Sequence, residues 1–93
     1  MDAVRRVNPL MRLGKSDWAF WSNDGDRLLR VRLVPAGRAT GWRSAWETYR
    51  WVRGGVPGPV DRIEDWKNWE PCGPLCRTRA EAVRAALITG GRF

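Results

Sequence analysis

The sequence predicts an α+β fold: a small antiparallel sheet of three to four strands packed against one C-terminal helix. Three observations predict it. "DWAFWSNDGDRLLRVRLV", residues 17–34, alternates apolar and polar positions on either side of an Asp-Gly turn signal. "SAWETYRWVR", residues 44–53, is dense in aromatic side chains and reads as a third strand, although neither of its alternate sets is cleanly apolar. "TRAEAVRAALITGG" opens with a capping signal and closes on two glycines. Ninety-three residues suit one domain. A chain this short buries somewhat more than about 60% of its unfolded surface, so large rings carry much of its core.

Residues 1–16 hold Arg5, Arg6, Arg12 and Lys15 and read as a basic arm ahead of a single domain, 17–93. In the hairpin, a type I′ turn centred on Asp24 and Gly25 fixes the register. Phe20 then faces Leu29 and Trp18 faces Val31, with Leu33 beyond them, which makes one apolar face. The other face pairs Trp21 with Leu28, Ala19 with Arg30 and Asp17 with Arg32, giving a cross-strand Asp–Arg pair.

"PAGRATGWR" follows as a loop bearing Arg38, Trp42 and Arg43. In the third strand, 44–53, Trp46 and Val52 suit the core side, and Arg50 must then reach the rim of the sheet. Tyr49, Trp51 and Arg53 fall on the opposite face, level with Arg30 and Arg32. "GGVPGPV" breaks the chain, and Asp61 is placed to cap a short helix over "DRIEDWKNW", ended by Pro71. "PCGPLCR" reads as a loop or short edge strand. Thr78 and Glu81 form a capping box for a helix over 79–89, whose apolar stripe is Ala80, Val83, Ala86 and Leu87.

The net charge is +7, carried by fifteen arginines and two lysines, and residues 27–53 alone hold +6. That balance points to nucleic acid or an acidic protein surface. No segment is apolar enough to span a membrane, and the first residues lack the apolar run of a signal peptide. Two cysteines without a targeting signal suggest a reducing cytoplasm. There is no histidine, no phosphate-binding glycine loop and no carboxylate pair set by spacing, so no enzyme and no cofactor are expected. Cys72 and Cys76 alone do not make a zinc site, and no metal is expected.

Rings interleaved with arginines are the physical means of gripping single strands, bases on rings and guanidinium groups on phosphates. The leading expectation is a non-enzymatic nucleic-acid-binding accessory protein. Its site would be the sheet face of Arg30, Arg32, Tyr49, Trp51 and Arg53, with the loop residues Arg38, Trp42 and Arg43 and the arm residues Arg5 and Arg6. Protein hot spots use the same mixture. The alternative is therefore a small phage- or mobile-element-type protein that binds an acidic host protein surface, for example an anti-CRISPR-like inhibitor of a nuclease or defence complex. Trp21, Trp42 and one of Trp46 or Trp51 could instead form a second small hydrophobic layer under the loops.

Three strands followed by one helix, over residues 17–89, resemble in element order the plant-type ethylene-response DNA-binding domain and the arm-binding domains of phage integrases. The segment "DRIEDWKNWEP" departs from that order, no diagnostic motif of either family is present, and no functional residue is carried over.

Overall fold

Alternation and turn chemistry produce an up-and-down meander. The computed structural model of the chain describes residues 9–37, 41–52 and 56–92. Five strands follow in order, β1 (Met11–Gly14), β2 (Asp17–Trp21), β3 (Leu28–Pro35), β4 (Ser44–Trp51) and β5 (Trp69–Cys76). Each pairs antiparallel with its neighbours in sequence. One helix, α1 (Arg79–Thr89), ends the described chain and lies over β3, β4 and β5.

The hairpin register agrees with the alternation pair by pair. Trp18 stands opposite Val31, Phe20 opposite Leu29, Trp21 opposite Leu28, Ala19 opposite Arg30 and Asp17 opposite Arg32. The turn itself differs from a two-residue type I′ turn. Only Gly25 has positive φ, and Ser22 N donates to Arg27 O at 2.9 Å, so four residues, 23–26, form the loop. The register survives because lengthening the loop by one residue at each end leaves opposite partners unchanged. Asp24 Oδ1 accepts from the Ser22 hydroxyl at 2.5 Å and from Asp26 N at 3.0 Å. That first bond holds its carboxyl below the ordinary range.

The parity of β4 is also as expected: Leu33 faces Trp46, Val31 faces Thr48, Leu29 faces Arg50 and Arg30 faces Tyr49. Arg50 does reach the rim, donating to Glu70 Oε1 at 2.6 Å and to Gly91 O at 3.1 Å. Val52, expected on the core side, lies past the end of β4 and is exposed, as is Leu33 beyond the reach of α1.

The sheet has five strands where three to four were expected. Met11–Gly14, inside the expected arm, pairs with β2, with an irregular step between Arg12 and Gly14. "WEPCGPLC" becomes the other edge, where prolines are tolerated because their missing N–H can face outward. The expected helix over "DRIEDWKNW" shrinks to one 3₁₀ turn, Trp66–Asn68. Trp69 is extended to pair with Trp51. Nine residues are too few to sustain a helix unaided, and tertiary demands decide the segment.

Both faces of the sheet are covered. On one, Phe20, Leu29 and Val31 pack against Ala82 and Ala86 of α1, with Trp18, Trp46, Val83 and Leu87 around them. Ala82 takes the place expected for Ala80, which is exposed. Thr78 caps the helix, accepting from Glu81 N at 3.1 Å. Gly90 (φ 65°) ends it, and Gly91 lies so close to the sheet that a Cβ there would stand 2.8 Å from Leu29 Cδ2.

The second face carries Ala19, Leu28, Tyr49, Trp51 and Trp69, with Trp21, Ile63 and Trp66 packed on them. The second hydrophobic layer weighed for the tryptophans is thus realised for Trp21 and Trp51. Trp51 and Trp69 meet edge-to-face, centroids 5.3 Å apart at 88°, and Tyr49 meets Trp66 at 4.7 Å.

Trp51 is only 3% exposed. Trp51→Ala is therefore expected to lose about 3–5 kcal/mol, the usual cost of deleting a buried ring. Denaturant unfolding measures this, and a variant as stable as the parent would show that the second face is open.

Candidate binding surface

Arg30 lies at the centre of the second face and is almost wholly buried. A guanidinium removed from water must have each donor satisfied. Its Nε donates to Asp17 Oδ1 at 2.7 Å and its Nη2 to Asp17 Oδ2 at 2.5 Å. The expected Asp17–Arg32 pair is therefore replaced by a diagonal one, although Asp17 does stand opposite Arg32 in register. Arg30 Nη1 donates to Ile63 O at 3.2 Å and Glu64 O at 3.4 Å. The same Ile63 carbonyl accepts from Trp69 Nε1 at 2.7 Å. An α-helix over this segment would engage that carbonyl in its own ladder, which gives a physical reason for the irregular backbone here.

The Trp66 ring lies against both arginines, with its centroid 3.6 Å from Arg30 Cζ and 4.0 Å from Arg32 Cζ. Such contacts are worth about 2 kcal/mol or more when desolvated. Arg32 Nη2 also donates to Tyr49 Oη at 2.9 Å, and Tyr49 donates onward to Glu47. The arginine–aromatic alternation in β3 and β4 is thus turned inward, with Trp66 lying where a stacked base would, although the buried Arg32 Nε has no hydrogen-bond partner among the described residues.

This corrects the expected open face. Arg30, Tyr49 and Trp51 are buried, and Arg32 is half-buried beneath Trp66. The sequence reading missed it because the covering segment reads as a short helix, with nothing to place it over this face. Arg53, Arg38, Arg5 and Arg6 lie outside the described residues. Trp42 is half-buried at the start of the turn into β4, with Arg43 exposed beside it.

A second arginine–aromatic grouping is accessible, near the amino end of α1. The half-buried Trp18 ring has Arg79 Cζ 4.8 Å and Arg12 Cζ 5.4 Å from its centroid. Arg77 Cζ lies 5.5 Å from the Trp42 centroid. Arg77 and Arg79 flank the helix cap, two residues apart, and so link the two rings. Arg12, Arg77 and Arg79 are exposed. Among the described residues, ion pairs join Asp17 to Arg30, Glu70 to Arg50 and Glu64 to Arg62, and none includes these three. Sequence reasoning found Arg12 and Trp42 but missed Trp18, Arg77 and Arg79. Trp18 read as core, which is half true, and Arg77 and Arg79 carried no expectation.

Cys72 is buried and Cys76 half-buried, and both are free thiols. Burial pushes Cys72 up to about 11 and raises Cys76 as well, which disfavours the reactive thiolate. Among the described residues, no group of three or more potential metal ligands is present, and no helix is long and apolar enough to cross a membrane.

No family model, curated protein or solved structure matches the chain.

Tyr49 reports on the closed face, because it is the one tyrosine. Burial, reinforced by the Glu47 carboxylate, pushes its pKa up to about 12, against the opposing pull of Arg32. The folded state holds this proton more tightly than the unfolded chain. The associated stability is therefore complete below about 10, the ordinary tyrosine pKa, and is lost as pH rises through about 12. Phenolate absorbance is expected to appear only near pH 12 or with base unfolding. A folded protein ionising near pH 10 would contradict the burial.

Proposed function

We propose that the protein is a non-enzymatic nucleic-acid-binding protein whose contact surface is the arginine–tryptophan grouping around the start of α1. The observation that carries this reading is the exposure of Arg12, Arg77 and Arg79 against the Trp18 and Trp42 rings, outside the ion pairs formed by the described residues. Exposed guanidinium groups beside a partly exposed ring can hold phosphate while a base lies on the ring. Arg43 and Lys15, both exposed, extend the positive field. The arginine contacts inside the fold and at its rim support the reading indirectly. They use Arg30, Arg32 and Arg50 within the fold, which leaves the remaining exposed cations to dominate the outside. The free thiols accord with action in a reducing cytoplasm.

A second reading, docking on an acidic protein such as a nuclease or defence complex, draws on the same charge and on an apolar groove beside α1.

Labelled single-stranded and duplex oligonucleotides, titrated across a salt series, test the proposal. Log affinity should fall linearly with log salt, by about 0.7–0.9 per phosphate neutralised. Arg77→Ala and Arg79→Ala should each reduce that slope by roughly one contact while leaving the melting temperature near that of the parent. No binding, or a slope unmoved by both changes, would overturn the proposal. Capture of one acidic protein after nuclease treatment would favour the second reading.

A further inference from the structure

We infer that a groove along the flank of α1 is a docking site for an acidic peptide segment with an apolar anchor, adjoining the nucleic-acid surface proposed above and sharing Arg79 with it. The groove, about 460 Å³, lies between α1 and the start of β1. Leu10, Val83, Leu87 and Ile88 make it apolar, and Arg79 and Arg84 stand on its border. Ile88 is 75% exposed, an unusual position for a large aliphatic side chain on a helix whose opposite side is packed on the sheet. No carboxylate lines the groove. Arg84 takes part in none of the ion pairs among the described residues.

Charge and shape together select the occupant. An aliphatic surface offers no ring for a base to stack on, which distinguishes it from the Trp18 grouping. A second copy is disfavoured, because each chain carries +7 and a two-fold pairing of this flank would bring like arginine rims together. Carboxylates on a partner complement Arg79 and Arg84, and an apolar side chain covers Ile88 and Val83. The chemistry is therefore that of an acidic peptide with leucine, isoleucine or phenylalanine beside its carboxylates, bound as a side-chain-anchored ligand in a groove.

A random peptide library displayed against the immobilised full chain tests this. Enriched peptides should pair aspartate or glutamate with a large apolar residue. Enrichment should fall at least tenfold against Ile88→Glu and against Arg84→Glu. Both residues are exposed, so both variants should melt near the parent, and Arg84→Lys should recover most of the binding. Retained oligonucleotide binding in Ile88→Glu separates this site from the surface around Trp18. The inference is overturned if no peptides are enriched, if they are basic or lack an apolar anchor, or if enrichment survives Ile88→Glu. It is likewise overturned if Ile88→Glu abolishes a concentration-dependent dimer or oligonucleotide binding. A second copy or a nucleic acid would then be the occupant.

Discussion

A guanidinium buried in the middle of a five-stranded sheet needs a carboxylate, two carbonyls and a cover from water, and much of this structure consists of providing them. Asp17 supplies both carboxylate oxygens from β2, while Ile63 and Glu64 supply carbonyls from a segment more than thirty residues away in sequence. The Trp66 ring closes over the group. Because those carbonyls must point at Arg30 and at the Trp69 indole, the segment before β5 stays irregular and lies flat on the sheet. Trp51, Trp69 and Tyr49 are then enclosed with it. One charged side chain thus links the register of the first hairpin to the path of the chain between β4 and β5.

The consequence for function is a division of the arginines. Those on β3 and the rim are engaged within the protein: Arg30 by Asp17, Arg32 by Tyr49 and Trp66, Arg50 by Glu70 and Gly91. Those around α1 face outward, and they include Arg77, Arg79 and Arg84. Buried guanidinium groups contribute fold specificity at a desolvation cost, whereas exposed ones shape the outer field. The same residue type serves both roles, and burial alone separates them.

How much of this was legible in the sequence follows from the period of each segment. Side chains alternate along a strand, so parity fixed Trp18, Phe20, Leu29 and Val31 on one face and Ala19, Leu28 and Arg30 on the other, whatever the loop length. The helix was legible because Thr78, Glu81 and Gly90 carry local chemistry that does not depend on the rest of the fold. What covers the second face was not legible. The three-residue spacing of Ile63, Trp66 and Trp69 pointed to a helix, whereas the conformation is decided by Arg30 and by pairing of Trp69 with Trp51. Parity placed Tyr49 and Trp51 correctly beside Arg30 and Arg32, but it carries no information on whether a face meets water. The expected binding face was therefore a real face put to internal use. The accessible grouping was missed because Trp18 and Arg79 are brought together only by the crossing of α1 over the sheet.

The central claim, that the buried Arg30–Asp17 pair holds the second face closed, is tested most directly by equilibrium unfolding of Asp17→Asn. The substitution keeps the shape of the side chain and removes its charge, leaving Arg30 buried without its counter-ion. Removing one partner of a buried pair costs about 3–5 kcal/mol, and a loss in that range, with increased solvent quenching of tryptophan fluorescence, is the predicted result. A loss of no more than about 1 kcal/mol, the behaviour of an exposed ion pair, would contradict the account.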